Sequence, residues 1–278
     1  MSKIYRVITF MLLVVPISKS DLNNSAVAFN MFIKSVCYFG PYKEHELLVV
    51  CRPSDKTLGE NVLTAFSRLF KTSNLFVFED EGPSGWPEGP NSYWKRTIEY
   101  LKENNNKLPW FWMEADCTPL KSKWLDLLEK EYKKSKQPCF GLIMDTITTT
   151  TNGYRVTIAK HLQGTAVYPA NFHEITTIWE YTDVLKTAFD VITQWEVIPQ
   201  TENTDLVVQG FQTKNYRIRF NSDLNKEVLQ GEDVGKLTVQ GVEGYNYPIT
   251  KRGLVHHGCK DGTLAQAIMD NNNQKYLI

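Results

Sequence analysis

A glycine-rich phosphate loop is missing from this sequence. No Gly-x-Gly-x-x-Gly follows the first apolar run, and no Walker sequence or Gly-x-Ser-x-Gly elbow occurs. Any bound phosphate must therefore be held by side-chain cations or a metal, not by a cradle of backbone N–H groups. Cysteine is also scarce. Cys37, Cys51, Cys117, Cys139 and Cys259 are odd in number, widely spaced and free of any Cys-x-x-Cys pair, which argues against a disulfide framework or a structural zinc site. Cys37 and Cys51 lie in apolar surroundings and read as core thiols, and a reducing, cytoplasmic location fits them. Net charge is absent too: 31 basic and 31 acidic residues cancel, so no global field draws the chain to nucleic acid or membrane, although a local basic face stays open. Long apolar runs are missing as well. The run from Val7 to Ile17 is about 11 residues, short of the ~20 that cross a bilayer.

What is present is an ordinary globular composition, 42% apolar and 22% charged over 278 residues, which suits one large α/β domain. Val7 to Val15 reads as a buried first strand; the alternative is a secretory signal with Ala26-Val27-Ala28 as its cleavage site. A helix follows to about Tyr38, then a strand from Glu46 to Cys51, a helix from Thr57 to Phe70 and a strand from Asn74 to Phe78. This alternation predicts a Rossmann-type, mostly parallel sheet flanked by helices. Ligands in such sheets bind at the carboxyl ends of the strands, and those ends are polar here: Ser18/Asp21, Arg52/Asp55 and Asp80. A helix from Tyr93 to about Glu103 precedes the central stretch, and another follows it with a basic end at Lys130, Lys133, Lys134 and Lys136. Further on, the pattern predicts a hairpin around Asn152-Gly153, a strand from Gly164 to Tyr168, a helix from Ile175 to about Val191 and a strand over Asn215 to Phe220 carrying Arg217 and Arg219. The first 142 residues form the regular α/β half, and residues 143–278 are more mixed.

The chemistry centres on Trp110 to Leu120. An apolar run ends in Glu114 and Asp116, which share one face if the strand continues. Two carboxylates at the open end of a buried strand call for a positive partner, for which a hard cation is the natural candidate; a solvated strand end is the other reading. Late in the chain, His256-His257-Gly258-Cys259-Lys260 offers an imidazole and a point charge at a Gly-lined turn, and the sequence does not choose between the two histidines.

Taken together, the α/β half, the acid-x-acid and the late His-Gly-x-Lys resemble nucleotide-sugar glycosyltransferases of the GT-A fold. The blocks Trp112 to Leu125, Gly89-Pro90-Asn91-Ser92-Tyr93-Trp94, His161 to Pro169 and His257 to Gly262 resemble phage and bacterial glycosyltransferase-like proteins. The resemblance implies Mn²⁺ or Mg²⁺ held by Asp116, Glu114 and His257, with Lys260 on the diphosphate. It implies a nucleotide-sugar donor, such as a UDP-sugar, lined by Pro16, Ser18, Asp21, Arg52, Asn91 and Trp94. Asp190 is the proposed base, with Glu180 behind it, and His161, Gln163 and Gly164 would face the acceptor. The phage-type likeness implies a hydroxymethylated pyrimidine in DNA as acceptor, and a surface glycan or sugar binding without turnover are the alternatives. No membrane partner is expected.

Overall fold

The computed structural model describes residues 10–151, 154–182, 186–209, 238–240 and 246–272. The start of the first expected strand, the Asn152-Gly153 turn, residues 183–185 of the expected Ile175 to Val191 helix and the strand with Arg217 and Arg219 lie outside them.

Alternation of strand and helix opens the chain as its periodicity predicts: β1 (Leu12–Ile17), α1 (Lys19–Asn24), α2 (Ala26–Phe39), β2 (Tyr42–Cys51), α3 (Lys56–Phe66), β3 (Phe70–Val77), α4 (Glu88–Glu103) and β4 (Trp110–Trp112). A short β5 (Cys117–Pro119) and α5 (Trp124–Tyr132) lead to β6 (Cys139–Met144), the ribbon of β7 (Ile147–Thr151) and β8 (Tyr154–Ile158), and β9 (His161–Tyr168). Three single-turn helices follow, α6 (Phe172–Ile175), α7 (Phe189–Ile192) and α8 (Gln194–Val197), then β10 (Thr201–Asn203) and β11 (Val207–Gln209). The remaining described elements are β12 (Thr238–Gln240), β13 (Asn246–Pro248), β14 (Val255–His257) and α9 (Thr263–Asn272).

The central sheet has seven strands in the order β10-β6-β9-β4-β1-β2-β3. Its pairs β1–β2, β1–β4, β2–β3 and β6–β10 are parallel, while β9 runs antiparallel to both β4 and β6. The expected α/β class, a mostly parallel sheet flanked by helices, is therefore the one found. Alternate residues of the strands feed two cores. Leu13, Val15, Leu47, Val49 and Phe111 pack on one face with Phe29, Phe32, Val62 and Trp124; Leu12, Val14, Leu48, Val50, Trp110 and Trp112 pack on the other with Tyr93, Trp94 and Ile98 of α4. Two-faced burial explains why these strands read as near-continuous apolar runs. The boundary between residues 142 and 143 falls inside β6, and β9 and β10 join the same sheet as β1 to β4.

One expected helix is corrected. Ile175 to Val191 does not form a single helix but short turns, α6, the 3-10 turn Ile178–Tyr181 and α7. The backbone leaves the helical region at Thr176 (φ −142, ψ 145) and at Ala188 (φ −58, ψ 142), and Thr176 Oγ1 accepts from Ile178 N at 3.1 Å in place of a ladder carbonyl. A second expectation, that β4 continues through Asp116, is also corrected. The strand ends at Trp112, and Cys117 N donates to Glu114 O at 3.0 Å to close a turn.

Candidate active site

The site forms where a second, three-stranded sheet, β11-β14-β5, meets the carboxyl edge of the first. β14 pairs antiparallel with β5 in the register Val255↔Pro119, His256↔Thr118 and His257↔Cys117. This register settles the choice between the histidines. His256 is 0% exposed and lies edge-on to Tyr247, while His257 reaches the acidic turn. The chain then bends at Gly258, whose φ of 97 suits glycine, and the amides of Gly258 and Cys259 both donate to Asp116 O, at 3.2 and 2.8 Å. Gly262 is equally constrained: at φ +76, an added Cβ would come within 3.2 Å of Ala28 in the first turn of α2.

Four side chains converge as a result. His257 Nε2 lies 3.2 Å from Glu114 Oε2 and 3.2 Å from Asp116 Oδ1, and Lys260 Nζ donates to Asp116 Oδ2. Glu114 is turned toward this point because Trp112 Nε1 donates to its Oε1 at 3.2 Å. Burial works against charge on Asp116, but His257 and Lys260 overcome it and hold the carboxyl well below the usual range. Burial likewise opposes the imidazolium, yet Asp116 and Glu114 push His257 up to about 10. The Asp116 charge raises Lys260 despite its burial. Asp21 is lifted to about 6, mainly by burial, against the hydrogen bonds of Ser18 and with help from the charges of Asp116 and Glu114.

A divalent cation fits this group. One Nε2–H cannot satisfy two carboxylates, and Asp116 Oδ1 is buried without a directed hydrogen bond. Two carboxylate oxygens and one imidazole nitrogen around one point suit Mg²⁺ or Mn²⁺. Cys117 Sγ lies within 4.8 Å of ligand atoms of Asp116 and His257. Burial and the Asp116 charge push that thiol up, and its Sγ lies against Thr165 Oγ1.

Glu114, Asp116 and Lys260 of the cluster form one wall of a cleft of about 490 Å³ that also touches Pro16, Ser18, Asp21, Arg52, Trp86, Tyr93 and the first turn of α2. Arg52 lies over the Tyr93 ring at 5.1 Å and donates from Nη2 to Pro83 O. Trp86 is 74% exposed at the lip. The sequence reading passed over Trp86, Tyr93 and Ser25. An unshielded tryptophan inside Gly-Pro-Ser-Gly-Trp-Pro was the one available signal.

Three expectations change here. Asn91 is 0% exposed and donates from Nδ2 to Thr182 O at 2.7 Å and Thr187 O at 2.8 Å. Trp94 is 0% exposed and stacks on Phe189 with ring centroids 4.5 Å apart. Neither lines the cleft; both hold the segment that carries Asp190. Gln163 is 2% exposed and its amide meets His257 Nδ1, so it faces the cluster and not an acceptor. Asp190 itself receives Val191 N at 2.9 Å and stands 3.7 Å from His161 Nε2. Burial raises its pKa against the attraction of His161, and the Glu114 charge adds to the rise. His161 anchors its other nitrogen on Ala159 O at 2.7 Å. Gly164 sits between the groups, since an added Cβ would be 2.8 Å from Phe189 Cζ and 3.7 Å from Glu114 Oε1. Glu180 is exposed on its 3-10 turn. At the basic end of α5, Lys133 and Lys134 pair with Glu129 and Glu131 at 2.6 and 2.5 Å. No described helix is long and apolar enough to cross a membrane.

No protein-family model matches the chain, and no curated protein matches it in sequence. Among solved structures it is similar to a 4-diphosphocytidyl-2C-methyl-D-erythritol synthase (12% identity, 80% of this chain and 98% of that one, TM-score 0.42). It is also similar to the WbbM bifunctional glycosyltransferase (9% identity, 75% of this chain and 41% of that one, TM-score 0.47). A third likeness is to mouse xyloside xylosyltransferase 1 (6% identity, 90% of this chain and 97% of that one, TM-score 0.48).

Proposed function

We propose that the chain is a metal-dependent glycosyltransferase that moves a sugar from a nucleoside-diphosphate sugar, UDP-linked in the first instance, to a hydroxyl acceptor. The observation that carries this reading is the meeting of His257 with Glu114, Asp116 and Lys260, the last three of which line one wall of a cleft large enough for a nucleotide. Sheet order supplies a layout. Strands lie about 4.8 Å apart, so the ends of β3 and β4 are about 14 Å apart across the sheet, comparable with the reach from a base to its diphosphate. The base would lie by Arg52 and Trp86, the ribose by Ser18 and Asp21, the diphosphate by Asp116 and Lys260, and the sugar by Gly164 and Asp190.

A Mn²⁺ or Mg²⁺ ion held by Asp116, Glu114 and His257 would supply Lewis-acid charge to the departing diphosphate. Lys260 adds a second positive charge to the same leaving group. Asp190, with its raised pKa, is suited to accept the proton of an acceptor hydroxyl. His161, anchored on Ala159 O, faces Asp190 and stabilises its carboxylate once ionised. Gly164 lets the Phe189 ring and Glu114 approach the β9 backbone, since a Cβ there would stand 2.8 Å from Phe189 Cζ.

The test is mass spectrometry of acceptors incubated with a panel of nucleotide sugars and Mn²⁺. Sugar transfer lost in Asp116→Ala supports the reading; nucleotide binding that needs no metal and gives no product sinks it. Hydroxymethylated DNA and a surface glycan are the acceptor arms. Product on the DNA with a steep salt dependence would assign the first.

A further inference from the structure

We propose that Gln163 is a positioning residue for His257, its amide deciding which imidazole nitrogen is bare toward the two carboxylates. This rests on the cation reading given above. Gln163 and His257 are 94 positions apart and come from different sheets, yet the Gln163 amide meets Nδ1 while Nε2 faces Glu114 Oε2 and Asp116 Oδ1. In the neutral ring, which is the form a cation binds, ring and amide can be matched in two ways. With Gln163 Nε2 donating to Nδ1, the single ring proton sits on His257 Nε2 and occupies the space between the carboxylates. Gln163 Oε1 is then buried with no partner, an arrangement that a satisfied hydrogen bond would relieve. Turning the amide by 180° about Cγ–Cδ makes Oε1 the acceptor of an Nδ1–H. That satisfies the buried oxygen and leaves the Nε2 lone pair aimed at the carboxylates, as a metal ligand requires. The buried amide therefore favours the tautomer that binds a cation. A side chain that merely fills the space under the ring would lack this preference.

Titration calorimetry of the full chain with Mn²⁺ tests this, using wild type, Gln163→Leu and Gln163→Glu, with melting temperatures as a check on folding. Q163L matches the shape but cannot accept a hydrogen bond, and should bind Mn²⁺ about 10–100-fold more weakly. Q163E is an obligate acceptor and should bind at least as tightly as wild type. Because an added charge alone could strengthen binding, histidine ¹⁵N spectra of the Mg²⁺-loaded proteins give a second readout. His257 should show an Nδ1–H signal shielded from solvent exchange in wild type and Q163E, and lose that shielding in Q163L, where no acceptor remains. If Q163L binds Mn²⁺ like wild type, or Q163E binds more weakly, the proposal is overturned. Should Q163L not fold, Q163E alone decides by the same criterion together with its Nδ1 signal. Wild type that binds neither Mn²⁺ nor Mg²⁺ would instead overturn the cation reading and this inference together, an outcome distinct from binding that ignores residue 163.

Discussion

The two sides of β4 build their part of the cleft in different ways. On the β1–β3 side, each wall residue sits at or soon after the end of its strand: Pro16 in the last residues of β1, Ser18 just after it and Asp21 in α1, Arg52 after β2, Trp86 in the loop between β3 and α4. On the other side, nothing local suffices. Glu114 and Asp116 receive His257 and Lys260 from more than 140 positions away, and His257 in turn meets Gln163 of an antiparallel strand. The first side is shaped by strand-loop-helix units and can vary loop by loop. The second is a network of mutually dependent charges, where removing one partner strands the others.

That contrast predicts a gradient of effects. Asp116→Asn should be the most damaging, with transfer falling about 10³-fold and Mn²⁺ binding lost in calorimetry; near-normal turnover would break the distinction between the two sides. Asp190→Asn should lower kcat by about 10²-fold or more while leaving nucleotide and Mn²⁺ affinity as in wild type, a split that steady-state kinetics with parallel calorimetry would expose. Gly164→Ala forces a Cβ to 2.8 Å from Phe189 Cζ, and should cost about 1–3 kcal/mol in denaturant unfolding with a fall in kcat. Trp86→Ala, on the modular side, should weaken nucleotide binding about tenfold and leave the melting temperature unchanged, because the ring is 74% exposed.

The smallest effect is on pH dependence. The folded-state pKa of His257 is raised to about 10, so its contribution to the stability of the metal-free protein is complete below the unfolded value of about 6.5. It is lost as pH rises through the folded pKa. His257→Gln should flatten that decline in thermal melts, and an identical slope in both proteins would show that the imidazolium is not held as described.

The modular side is also the side the sequence made legible. Apolar runs such as Leu47 to Cys51, each ending at a polar residue, are visible because two-faced burial writes itself into consecutive positions. Glu114 and Asp116 were recognisable as a site, but through a shared strand face that does not exist; the turn at Cys117 and the β5–β14 register bring them together instead. No local pattern encodes a pairing between Cys117 and His257. The inward role of Gln163 was hidden for the same reason, as was the buried position of Trp94, whose place in a motif gave no sign of its depth. Over Ile175 to Val191, apolar spacing imitates one helix, while the non-helical backbone at Thr176 and Ala188 divides it into short turns.

The docking of the Gly258–Gly262 loop on α2 and on the Asp116 turn has a consequence for the order of assembly. During synthesis, the strands β1 to β4 and their carboxylates emerge long before Lys260 can reach them. Closing a connection of 144 positions is slow relative to forming neighbouring strand pairs. A nascent chain would thus carry the sheet with its two acids exposed to water, open to any passing cation. The charge network would snap shut only when the final segment arrives. The cleft would be the last part of the protein to become itself.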